Sequence, residues 1–284
     1  MDKVLRGFYT AATGMIAQQR RTEMLTNNMS NANTPGYKAD QSSLRSFPEM
    51  LLSRLENKKV ATMNGLTLPT SNVVGAVNTG VYVQEIASSF SQGTLQETGN
   101  STDFALTDIS MLVNVENGRR GTVFFAVGRP GGEMVYTRNG NFTVDQEGFL
   151  TVPNGNYVLD VNGNGIQVGN DQFTIDETGA IRLDGGDYVT NIGIAYAENP
   201  LALEKGPDSF YSYLEDGGLL MLNNEAIPGV QYSLQQGFVE GSNVDTSQAM
   251  TEMLTAYRAF EANQKILQAY DKSLEKAVTE IGRV

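Results

Sequence analysis

The sequence predicts an α+β protein in which long N- and C-terminal helices form a helical stem around an inserted, mainly antiparallel β body. Three observations carry that prediction. Residues 5–31 and 245–281 each repeat apolar side chains three and four positions apart, the spacing of one helical face. Residues 81–232 instead show short alternating runs broken by Asn-Gly, Asp-Gly and Gly-Gly pairs, the punctuation of hairpins. Between the first helix and the body stands Asn31-Ala32-Asn33-Thr34-Pro35-Gly36-Tyr37-Lys38, preceded by Asn27 and Asn28. So many asparagines, followed by Pro-Gly, cost a helix too much to be padding.

The first helix takes its apolar face from Leu5, Phe8, Ala12, Met15 and Gln19. Thr34 precedes proline and is pushed away from the helical region, so the helix should end a residue or two earlier. Residues 1–40 thus form an assembly helix and its closing motif. Residues 41–80 read as a connector: Pro48 suits the first turn of a short helix over 48–55, and 65–80 show no helical period. The β-rich body is assigned to 81–235. Within it Phe142–Leu150 recurs 31 residues later as Phe173–Ile181. Each copy reads strand, Asp-x-x-Gly turn, strand, which predicts two hairpins of one sheet system.

The last segment, 241–284, opens on Asp245 as an N-cap, with Gln248 completing a capping-box-like pattern. Met250, Met253, Tyr257, Phe260, Gln264, Leu267, Asp271, Leu274, Val278 and Ile281 then make a sustained heptad stripe. Gln264 and Asp271 are its polar members, of the kind that set register. Ala259, Ala262, Ile266, Ala269 and Tyr270 widen the apolar surface beyond a two-helix seam, so this helix is expected to touch more than one neighbour. Glu261 and Lys265 form an (i, i+4) pair on its surface.

Composition removes most chemistry. Among 284 residues there is no Cys, His or Trp. Disulfides, thiolate or imidazole catalysis and Cys- or His-based metal sites are therefore excluded. A net charge of -12 disfavours nucleic acid as a partner. No apolar run approaches the roughly 20 residues of a membrane span. The start lacks an apolar h-region and a small-residue cleavage site, so no cleaved signal peptide is expected. Asp145, Asp176, Asp184 and Asp187 are the carboxylates available for acid–base work, but each sits beside glycine in turn context. Asp160-Val161-Asn162-Gly163-Asn164-Gly165, with Asp171 in twelfth place, fits a calcium-loop pattern. Strand-like flanks and Asp in place of the closing Glu favour a plain hairpin turn. No catalytic residue, cofactor or metal is expected.

Residues 31–38, with Ala17–Asn28 upstream, resemble the N-terminal signature of the bacterial flagellar rod and hook proteins. Glu240–Asp245 followed by Met250–Asn263 is similar to the closing helix of the same family. Tyr136–Phe142, Gly148–Leu150, Asn199-Pro200 and Leu203-Glu204 match landmarks between. One stretch departs: after Asp103–Leu106 this chain has Thr107–Leu112, and its Phe124-Phe125 pair comes later than usual. The resemblance implies a structural subunit of the basal-body rod, with a hook or hook-associated subunit as the alternative. It implies a hollow helical tube with terminal helices in the inner layers and the β body outward. The implied partners are further copies of the chain, adjacent rod and hook subunits, and the flagellar type III export apparatus. Residues 27–38 and the heptad stripe are the expected assembly residues. From a different class, a β-rich binding or carbohydrate-active protein that dimerises through its helices would need a concave aromatic site with convergent carboxylates.

Overall fold

The computed structural model describes residues 2–59, 67–115, 118–206, 208–213, 218–222 and 227–281. The chain forms two compact units. One comprises Met1–Asn27, Gln41–Ile86 and Ser247–Val284; the other comprises Asn28–Asp40 and Ala87–Thr246.

In the first unit, helix α1 (Asp2–Ser30) lies antiparallel to helix α2 (Thr246–Ile281). Gly7 faces Tyr270 and Gly14 faces Asn263. Further along, Arg21 Nη2 meets Glu252 Oε2 at 3.0 Å. Small residues set this approach. Ala11, Gly14 and Ala17 are buried on α1, and Ala249 and Ala256 on α2. A Cβ at Gly14 would come within 2.9 Å of the Asn263 amide.

The seam therefore differs from the one read off hydropathy. Phe8, Ala12 and Met15 are only half-buried, and Gln19 is exposed. On α2, Ala249 and Ala256 are buried, Asn263 and Tyr270 meet the glycines of α1, and Met253, Phe260, Leu267 and Leu274 are half-buried. Met250, Tyr257, Gln264, Asp271 and Val278 are exposed. The side chains of Leu5 and Ile281 lie outside the described residues. Hydropathy weights Met and Tyr above Ala and Gly, but the closest helix contact selects the small side chains.

The expected connector is instead β-structure. Asp40–Ser46 pairs with Val81–Ser88, and Met50–Lys59 pairs with Thr67–Val77 in an antiparallel ladder bulged between Leu52 and Ser53. The helix expected over 48–55 is thus a strand, because a pairing partner rich in Thr and Val outweighs weak local helix preference. Pro69 is accommodated since both strands of a two-stranded sheet are edges.

The second unit is built on a nine-stranded sheet whose buried centre is Thr122–Gly128. Met134–Thr137, Tyr157–Val158 and Ile194–Ala197 pair antiparallel with this strand. Strand alternation sends Phe125 and Phe124 to opposite faces. Phe125 joins Phe104, Phe142, Phe173 and Ile181 in the larger core cluster, with the Phe125 and Phe142 rings 5.1 Å apart. Phe124 packs with Tyr136, Ala195 and Tyr211 in the smaller cluster. In the departing stretch, Phe104–Ser110 pairs with Gln231–Gln236.

The two echo segments are both hairpins, with equivalent turns. The Asp145 carboxylate accepts from Phe149 N at 2.7 Å, and the Asp176 carboxylate accepts from Ala180 N at 3.0 Å. Contrary to expectation they belong to different sheets. The first sits at the edge of the nine-stranded sheet, and the second belongs to the sheet Phe173–Ile175, Ala180–Leu183 and Tyr188–Asn191. Only the apolar core is shared.

Candidate functional site

The segment leaving α1 is not a surface motif. Asn28 is buried and every polar atom of its side chain is used. Its Oδ1 accepts from Asp40 N at 2.9 Å and from Tyr37 Oη at 3.1 Å, and its Nδ2 donates to Asp40 O at 2.8 Å. One asparagine thus ties the helix end to the strand twelve residues on. Between these points Thr34 N donates to Asn31 O and Tyr37 N to Thr34 O, two successive tight turns.

Gly36 closes the bend at φ +69°, a left-handed conformation. Its N–H donates to Glu240 O at 2.7 Å. A Cβ there would collide with the main chain of Arg138 and Asn139. Glycine is therefore required twice over, by conformation and by space.

Lys38 and Glu240 meet at 2.7 Å, each with about 1% of its side chain exposed. Lys38 Nζ also donates to Ser91 O at 2.9 Å, and Gly93 N donates to the same Glu240 oxygen at 2.8 Å. The other carboxylate oxygen of Glu240 accepts from Arg138 Nε at 2.8 Å. Arg138 Nη1 then reaches Asp108 Oδ1 at 2.8 Å and Val123 O at 2.7 Å, while Nη2 donates to Leu106 O at 3.0 Å. Two cations and two anions alternate: Lys38, Glu240, Arg138, Asp108. Isolated burial of any one would be prohibitive, so each charge is retained only because its neighbours are in place.

The electrostatics follow that order. Burial pushes the Glu240 carboxyl up, but the Arg138 and Lys38 charges outweigh it and hold the group below its usual range. Burial and then the Arg138 charge lower the Lys38 amine, with Glu240 opposing. An outer layer continues the pattern. Lys205 Nζ lies 3.9 Å from the Tyr37 ring centroid, pairs with Asp40 at 3.0 Å and donates to Lys38 O at 3.0 Å. Asn243 accepts from Ala39 N at 2.7 Å and donates to Ser89 O at 2.8 Å. Chain positions 28–40 and 238–243 are thereby fastened to each other and to the sheet.

Of the motif residues, Asn28, Gly36, Tyr37 and Lys38 are buried and converge here. Asn31, Ala32, Thr34 and Pro35 are half-buried, and Asn27 and Asn33 are exposed. The α2 stripe is not part of this junction. Sequence reasoning gave no site role to Glu240, Arg138, Asp108, Asn243 and Lys205, although Glu240–Asp245 and Tyr136–Phe142 carried part of the family resemblance. The available signal was a charge set within an apolar strand, as in Phe238-Val239-Glu240 and Val135-Tyr136-Thr137-Arg138. The strong contacts described here are internal, so the arrangement fixes geometry.

The Asp160 loop is a turn. Its Oδ1 accepts from Asn162 N and Asn164 N, each at 2.8 Å, its Oδ2 accepts from Thr190 Oγ1 at 3.2 Å, and Gly163 sits at φ +82°. Among the described residues no group of three or more metal-ligating side chains converges, and no helix is long and apolar enough to cross a membrane.

Three family models match the chain. The flagella basal body rod protein model covers residues 8–38. The flagellar hook protein FlgE/F/G D1 domain covers 120–183, and the flagellar basal body rod FlgEFG protein C-terminal covers 235–280. The first ends on Lys38 and the third includes Glu240, so the junction lies where these segments meet. Among individual proteins, the chain is 43% identical to the flagellar hook-basal body complex protein FlhO of Bacillus subtilis, over 99% of this chain and all of that one. It is 28% identical to the flagellar basal-body rod protein FlgG of the same organism, over 97% and 98% of the two chains. It is 30% identical to the FlgG of Borreliella burgdorferi, over 95% and 97%.

Proposed function

Because this chain belongs to the family of bacterial flagellar basal-body rod and hook proteins, we infer that it polymerises into a hollow helical tube through its two terminal helices. It is a structural subunit of the flagellum. The observation that carries the polymer reading is an apolar surface left open beside the helix seam. Met250, Leu254 and Tyr257 lie one turn apart on α2 and are 57%, 50% and 54% exposed. On α1, Tyr9 and Ile16 are 60% and 50% exposed. A helix pair that buries mainly alanine and glycine leaves its larger apolar groups for further helices.

In this reading the helices are the inner layers and the β body is held outward. The buried junction ties together the chain segments 28–40 and 238–243 that adjoin the two helices in sequence, which is how the buried residues of the motif serve assembly. In this reading the chain performs no catalysis, is exported by the flagellar type III apparatus and takes its place beside other rod and hook subunits; the FlhO relative is named as a protein of the hook-basal body complex. The test is the paired substitution Leu254→Asp with Tyr257→Asp. Both side chains are exposed, so the monomer should keep its helix content and melting behaviour. Incorporation into basal bodies and motility of the parent bacterium should be lost. Normal motility in that variant would overturn the reading.

A further inference from the structure

One late stretch of the second unit fastens parts that lie far apart in the chain. Residues 231–243 pair with Phe104–Ser110 through Gln231–Gln236, and with Leu95–Glu97 through Phe238–Glu240. Among the described residues each of these pairs is a two-stranded sheet, so neither earlier strand has another ladder partner. Phe104–Ser110 nevertheless carries Phe104 and Leu106 into the larger core, where Leu234 of the late stretch joins them. A strand central to the core therefore completes its ladder only when residues 231–236 are in place.

The same stretch reaches the three-stranded sheet. Gln236 Oε1 accepts from Ile175 N at 3.1 Å, and Gln236 Nε2 donates to Phe173 O at 2.9 Å and to Ser101 O at 2.7 Å. One side-chain amide thus stands where a neighbouring strand would, along the edge Phe173–Ile175. Leu234 N donates to Glu177 O at 3.1 Å, and Gly237 N to Asp103 O at 2.8 Å. Further on, Glu240 and Asn243 close the buried junction on Gly36, Lys38, Ala39 and Arg138. Every one of these partners precedes residue 231 in the chain.

We propose that residues 231–243 are a clasp without which the second unit has no stable fold, so that the β body stays open until this late stretch is available. A chain is made N-terminus first, and the body therefore waits for its last strands. Without the clasp, Lys38 and Arg138 would be buried against Asp108 alone, and a buried charge set that lacks one partner is strongly destabilised. Two strands would also expose unpaired main-chain groups within or beside the core. A body that cannot close early can still be threaded through a narrow channel, a use that rests on the export reading above. The clasp itself rests on the contacts alone.

Native-state hydrogen exchange of the purified full-length chain, followed through rising concentrations of urea below the unfolding transition, reads this directly. A segment that opens alone exchanges at a lower free energy than the rest of the fold. A clasp that the whole body requires cannot open alone. The amides of Leu234 and Gly237 should therefore exchange at the same free energy, and with the same urea dependence, as those of Phe124–Val127 in the central strand. Clasp amides that exchange through a smaller opening while Phe124–Val127 stay protected would overturn the proposal. As a second arm, Leu234→Ala truncates a buried clasp residue and should speed exchange at Phe124–Val127 by roughly thirtyfold or more, with an equal effect at Gly237. Val239→Ala, a smaller truncation at another buried clasp position, should give the same pattern with a smaller effect. Acceleration confined to residues 231–243 in either variant would also overturn the proposal. Because exchange is read on the isolated chain, such a failure leaves the export reading standing, whereas absence of the chain from basal bodies would count against that reading alone.

Discussion

Glu240→Gln is the sharpest probe of the junction, since it keeps size and one acceptor while removing the charge. Glu240 receives Lys38, Arg138 and Gly93, all within 2.8 Å. Without its charge, two buried cations face only Asp108. Breaking one partner of a buried pair costs about 3–5 kcal/mol, a large part of the roughly 5–15 kcal/mol that a domain has. At about 2–4 °C per kcal/mol for a unit of this size, the melting temperature should fall by roughly 6–20 °C. The assay is urea unfolding of the full chain at neutral pH, with Glu252→Gln for comparison. Glu252 also pairs with an arginine, but Arg21 and Glu252 side chains are 30% and 34% exposed, so its loss should cost about 1 kcal/mol or less.

The pH dependence gives the reasoning a second exposure. The folded pKa of Glu240 lies below its unfolded value. Its contribution is therefore complete above the ordinary glutamate value of about 4.3 and is lost as pH falls through the folded pKa. The stability gap between wild type and Glu240→Gln should be flat near neutrality and shrink in acid. In the variant Lys38 has lost the carboxylate that opposed its burial, so the unfolded chain binds that proton better. Variant stability should accordingly recover as pH rises toward the alkaline range. A gap below about 1 kcal/mol at neutral pH, or one that does not change in acid, would refute the claim that the charge chain holds the junction together.

Two further outcomes follow from the same geometry. Gly36→Ala should destabilise by about 1–2 kcal/mol for the left-handed conformation and about 1–3 kcal/mol more for crowding the Arg138–Asn139 main chain; urea midpoints of the two full-length proteins would show it, and an unchanged midpoint would contradict it. Residues 28–246 should melt cooperatively, whereas residues 41–239 lose Tyr37, Lys38, Glu240 and Asn243 together and should lack a cooperative transition by circular dichroism and calorimetry.

The second of these outcomes departs from a simple modular picture in which the β body needs neither flank. What was legible in the sequence was local. The periods of α1 and α2 are visible because each helix satisfies its own hydrogen bonds, and the Asp-x-x-Gly turns are visible because Asp145 and Asp176 bond main-chain groups four residues away. The terminal motifs identified the family, that of the flagellar rod and hook proteins. The polypeptide order of helix, β body and helix was likewise written in its punctuation.

What tertiary structure alone decided was which of several compatible faces is used, and which distant groups meet. The apolar stripe of α2 is wider than its seam, and alanine and glycine, which carry little hydropathy, win the closest contact because they let two backbones approach. The ladder between Met50–Lys59 and Thr67–Val77 depends on pairing energy that neither strand shows alone. Lys38 and Glu240 are 202 positions apart, and nothing near either residue shows that it will be buried. A lone charge in a strand is ordinarily a reason to place it in solvent. Only the fold, by closing two chain segments over Arg138, supplies the opposite charges that make burial possible, and so turns an asparagine-rich helix end into a buried joint.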